Sequence, residues 1–270
     1  GGELLDLMLN GSAGRQALEP LVADRLLSGG SRWNSLAKVL QPPLDDSPLA
    51  FDNIGYLPAP SHPRYDFLAE DWINLLSLRG LPDDNLPEPL MRLTGLAIVR
   101  YMAERSAEVL GMEAPPPIPL DMVSPSTVGV KKISQDCFRR HRDMSRMAIS
   151  AVVSGFAASP EWHEAMEAPG KAQAANRLLD RRFSFAWKDV DGRPEPERYP
   201  EHVEKEALDN HEQHLGRVGG FYAEQIGMAV AARGTGRWYA ASDGFLEAVV
   251  LANVTVPVEF EEFLDRLWRR

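Results

Sequence analysis

Three groups of residues in this sequence have types and spacings that could do chemistry. The first is KKISQDCFRRHRDMSR at 131–146, where Lys131, Lys132, Arg139, Arg140, Arg142 and Arg146 face only Asp136 and Asp143. The window carries net +4 in a chain of net −10, so the remainder sums to −14. On a helix, Arg139, Arg142 and Arg146 form one stripe at i, i+3 and i+7, while Phe138, His141, Ser145, Ala148, Ile149 and Val152 share the arc that should face a core. Three guanidiniums on one edge can grip phosphates or carboxylates in forked pairs that lysine cannot reproduce. Lys131 and Lys132, read as preceding a helix that begins near Ser134, would extend the patch. Charge runs are more often solvated or internally paired faces. An acidic counterpart exists at 195–212, with seven carboxylates against Arg198 and Lys205. Neutralisation of that segment is therefore weighed ahead of a nucleic-acid or anion site.

The second group is His202, His211 and His214. His211 and His214 stand at i, i+3 and can share a helix face, which is the basis of a metal-assisted hydrolase reading. His202 points to the opposite side, the HExxH spacing is absent, and His211 falls within an apolar arc. The expectation is no metal and no cofactor. The third group is Cys137 with His141 four residues on, a thiol and a base at one-turn spacing. A small buried thiol is the favoured account.

No P-loop, dinucleotide fingerprint or nucleophile elbow accompanies these groups. SAGR, SGGS and ARGTGR lack the required lysine or the strand–helix context, and helix capping explains them. A single cysteine cannot form an intrachain disulfide and suits a reducing cytoplasm. No run of 18 apolar residues is present, and no basic region followed by an apolar core opens the chain, so neither a membrane span nor a signal peptide is expected.

The elements that must position these residues read as mainly α, in two lobes. Helices are predicted at 16–27, from Ser31 to Pro42, over 64–79, and over 88–110, the last apolar nearly all round and so central to the core. APPPIP at 114–119 cannot continue a helix and marks a linker between an N-terminal lobe, 1–113, and a second helical lobe, 120–232. A helix is expected from Ser134 to Ala158, and another after Ser159-Pro160. Strands, if any, are assigned to 118–132 and to a small hairpin at 182–195. One long helix is predicted from Glu201 to Ala232. The segment 233–270 closes with two short helices, capped by Ser242-Asp243 and opened by Pro257, that resemble a helix-turn-helix pair.

The segments RYDFLAEDWINLLSLRGLPDD and LMRLTGLAIVRYMAER, with the ending SDGFLEAVVLANVTVPVEFEEFLDRL, resemble uncharacterised helical proteins of bacterial phage-defence islands. That resemblance implies a cytoplasmic subunit of a multiprotein complex acting near DNA, and it transfers no functional residue. The favoured function is a non-enzymatic subunit that binds partner proteins, with DNA a further candidate partner through Lys131, Lys132, Arg139, Arg142 and Arg146. The alternative is an enzyme using His211 and His214, or Cys137.

Overall fold

A computed structural model describes residues 2–28, 59–121, 128–183, 194–211, 217–234 and 236–269, with the isolated positions 35, 36 and 39. Its described residues form eleven α-helices and one two-stranded hairpin, so the fold is mainly α. The helices are α1 (Gly2–Asn10), α2 (Arg15–Val22), α3 (Pro63–Ser77), α4 (Pro87–Val109), α5 (Val128–Ala157), α6 (Pro160–Glu167), α7 (Lys171–Phe183), α8 (Tyr199–His211), α9 (Arg217–Gln225), α10 (Asp243–Asn253) and α11 (Phe260–Arg269). Strands β1 (Ala229–Ala232) and β2 (Gly236–Tyr239) pair antiparallel, with Ala229 opposite Tyr239 and Ala232 opposite Gly236.

Local chemistry accounts for most boundaries. Ser159 and Ser242 accept the amides of Trp162 and Phe245, which caps α6 and α10. Pro63 and Pro160 occupy first-turn positions, where their missing N–H would have no partner anyway. Helix α4 is buried on several sides, including Leu90, Leu93, Leu96, Ile98 and Tyr101. It is the central strut of the largest core cluster, where Leu75, Leu86, Leu93, Ile226, Phe245 and Val249 meet. The end of α3 is closed from outside. Arg25, in a π-helical turn after α2, donates to the carbonyls of Leu76, Leu78 and Leu81 and to Asp83. The Leu76 carbonyl is one of the orphan acceptors that a helix end leaves behind, and the others lie in the turn that follows it.

Four expectations are corrected. Helix α5 begins at Val128, not near Ser134, so Lys131 and Lys132 lie within it. The stretch 201–232 is not one helix: 212–216 lies outside the described residues, and α9 ends at Gln225, after which the chain reverses into the hairpin. Strands therefore fall at 229–232 and 236–239. Of the two places assigned to strand, 118–132 shows an isolated bridge of Asp121 with Ala240 among its described residues, and 122–127 and 184–193 lie outside the described residues. Finally, α10 and α11 are joined by residues 254–259 rather than a tight turn.

The hairpin forms because Gly227, at φ +79°, turns the chain where no side chain fits. A Cβ there would stand 2.0 Å from Ser242 Oγ and 2.7 Å from Arg92 Nη1. The hairpin is then fastened to α5. Ser134 Oγ accepts the Tyr239 amide at 2.7 Å and donates to the Tyr239 carbonyl at 3.0 Å.

Candidate functional site

Helix α5 presents two chemically different faces. Inward it carries Ser134, Cys137, His141, Met144, Ser145, Ala148, Ile149 and Val153, all buried. Outward it carries Lys132, Ile133, Arg139, Arg140, Arg142, Arg146 and Met147, all exposed. Phe138 is half-buried at the boundary and packs against Tyr239 with the rings tilted by 52° and their centroids 5.1 Å apart.

On the inner face, His141 is held at both ring nitrogens. Nε2 lies 2.6 Å from the Pro116 carbonyl, which can only accept, so Nε2 carries the proton. Nδ1 is then the acceptor, and the Tyr239 hydroxyl donates a hydrogen bond to it at 2.8 Å. Burial lowers the His141 pKa, with the Pro116 hydrogen bond acting against that shift. Burial likewise raises the Tyr239 hydroxyl. The neutral pair thus ties α5 to both the proline-rich segment and the hairpin. Cys137 is buried one turn away, and desolvation raises its pKa. Its thiol stays protonated, and His141 has no nitrogen left with which to deprotonate it. The pair needed by a thiol enzyme is not assembled.

Of the two histidines of the hydrolase reading, His211 alone lies among the described residues. His211 is buried at the end of α8, whose inner residues Val203 and Ala207 pack against α5. His214 lies outside the described residues. Among the described residues no three His, Cys, Asp or Glu side chains are placed to hold a metal ion.

On the outer face, the arginine stripe stands in solvent as its spacing predicts. Arg139 pairs with Asp136 and Arg142 with Asp143, all along the same helix. Exposed pairs of this kind contribute little, about 0–1 kcal/mol. In the acidic segment, Glu197 pairs with Lys171, and Glu201 with Arg198. Arg139 and Arg142 are thus matched by neighbours on α5 itself. Lys131 departs from the patch: it is half-buried, with Nζ 3.8 Å above the ring of Trp238 on β2. Arg142, Asp143, Arg146 and Met147 border an open hollow of about 320 Å³.

No protein-family model, curated protein or solved structure matches this chain. Its chemistry rests on its own residues.

The face also contains members that stripe reasoning missed. Ile133, Arg140 and Met147 recur every seven residues, which keeps them on one line of a helix. All three are exposed, Ile133 at 59% and Met147 at 58%. A search for period seven, rather than for charge alone, would have found them. No described helix is long and apolar enough to cross a membrane, so these apolar groups do not belong to a span.

Proposed function

We propose that this protein is a non-catalytic subunit whose contact surface is the outer face of α5, and that the surface binds a partner protein with an acidic, partly apolar side. One observation carries this reading. Ile133 and Met147 stand in water within a face of four arginines. Arginine and methionine beside exposed aliphatic groups match the composition of protein interfaces, where lysine is depleted and arginine anchors. A surface selected only to stay solvated would have no use for Ile133. The inner-face chemistry agrees with a binding role, because His141, Tyr239 and Ser134 are all consumed in holding elements together. Resemblance to helical proteins of phage-defence islands supports a place in a bacterial multiprotein complex.

The experiment is site-specific photo-crosslinking from position 147 in the native host, with the adduct identified by mass spectrometry. One dominant adduct is expected. It should vanish when Arg139, Arg142 and Arg146 are all changed to Glu, with the circular dichroism melt unchanged. An adduct that survives the triple reversal, or no adduct at all, defeats the proposal.

DNA is a second reading, favoured by the net +4 of the 131–146 window. It predicts duplex binding whose log–log salt slope loses about one unit per arginine removed. The overall charge of −10 opposes it, and Ile133 and Met147 have no role on a phosphate backbone.

A further inference from the structure

A second site is built from elements other than α5. Leu96 and Arg100 of α4, Ile118 and Leu120 of the extended segment, Phe245 of α10, and Leu264, Leu267 and Trp268 of α11 enclose a pocket of about 250 Å³. That is close to the lower end of the ~300–1,000 Å³ typical of small-molecule sites, and its walls are apolar as such sites usually are. One charged group enters it, Arg100.

Arg100 is poorly satisfied where it stands. Its Nε is buried and has no hydrogen-bond partner. Its Nη2 reaches Glu104 Oε1 at 3.3 Å, but Glu104 is already engaged by Arg64 through both Nε and Nη2. Glu108, one turn further on, is shared by His62 and Arg105. A buried charge without full pairing is costly, and an incoming anion with two acceptor oxygens would relieve it. The roof is adaptable: α11 has no fully buried residue, and its Phe260, Leu264 and Trp268 are exposed at four-residue steps.

We propose that this pocket binds a small apolar carboxylic acid, with the carboxylate on Arg100 and the hydrocarbon against Leu96, Leu120, Phe245 and Trp268. Charge selects the occupant. A neutral alcohol of the same length buries the same apolar surface but leaves Arg100 Nε without a partner, and a cationic amphiphile adds repulsion.

The test is isothermal titration of the full chain with decanoate, decanol and decyltrimethylammonium below their aggregation limits. Decanoate should bind saturably at one per chain, at least about tenfold more tightly than decanol, since a charge-assisted hydrogen bond separates them. Arg100→Leu should make decanoate no better than decanol. Because that variant alters a half-buried cluster, Leu264→Trp serves as a second one. It fills the pocket from an accessible helix, keeps Arg100, and should weaken decanoate by about tenfold or more. Circular dichroism melts show that both variants are folded. Equal binding of decanoate and decanol would overturn the proposal. So would decanoate binding that is unchanged in either folded variant, or several molecules taken up per chain, which is surface adsorption.

Discussion

His141 Nδ1 accepts the hydroxyl of Tyr239 across 98 residues of sequence, at 2.8 Å and out of solvent. Replacing Tyr239 with Phe removes the donor and leaves that nitrogen unsatisfied in the core. Such a loss costs about 1–3 kcal/mol. Urea unfolding of Tyr239→Phe should show a decrease of that size with an unchanged slope, because the core keeps its shape.

The same histidine makes stability depend on pH. Burial holds His141 below its ordinary value of 6.5, and His62 is shifted in the same direction by the same cause. The unfolded chain therefore binds protons more readily than the folded one. Stability from these groups is present above the unfolded pKa and is lost as pH falls below it. The melting temperature should fall between about pH 7 and about pH 5.5, before carboxylates titrate. In His141→Asn the slope should be shallower, with a residue from His62. An identical slope in that variant would remove His141 as the cause.

Arg25 supports the end of α3 with four hydrogen bonds to Asp83 and three carbonyls. Arg25→Met should cost about 2–3 kcal/mol, since it strands the buried Leu76 carbonyl and three part-buried acceptors, with Asp83 partly compensated by solvent. Arg25→Lys should recover part of that, as an ammonium cannot span all four partners. Thermal unfolding of the two variants checks the order.

Two glycines should respond with opposite signs. Gly227→Ala places a Cβ against Ser242 and Arg92 in a left-handed backbone, and should destabilise by roughly 2 kcal/mol or more. Gly155→Ala, in the last turns of α5 with open space around it, should stabilise by about 0.5 kcal/mol. Chemical denaturation of both measures the contrast.

The sequence made some of this legible and hid the rest for identifiable reasons. The caps at Ser159 and Ser242, the all-round burial of α4 and the outward stripe of Arg139, Arg142 and Arg146 follow from local spacing, and each is found. The hairpin was hidden because MAVAA, apart from Val230, is composed of good helix formers. Its strand state depends on the turn at Gly227 and on Ser134, which lies 105 residues from Tyr239. The inward position of His141 could be read, but its partners Pro116 and Tyr239 could not. The Arg100 pocket draws on four separate segments, so no local pattern announces it.

Ser134 has one further effect. Tyr239 offers its amide and carbonyl on the edge of β2 that faces away from β1, and a bare edge of this kind is a template for a strand from another molecule. Ser134 occupies both groups, and the Asp121 amide approaches the same carbonyl at 3.4 Å. A helix side chain thus stands in for a third strand. The edge is closed to intermolecular sheet growth, and because α5 still covers it, Ser134→Ala should leave the buried Tyr239 amide without its partner and lower stability in urea unfolding by about 1–3 kcal/mol.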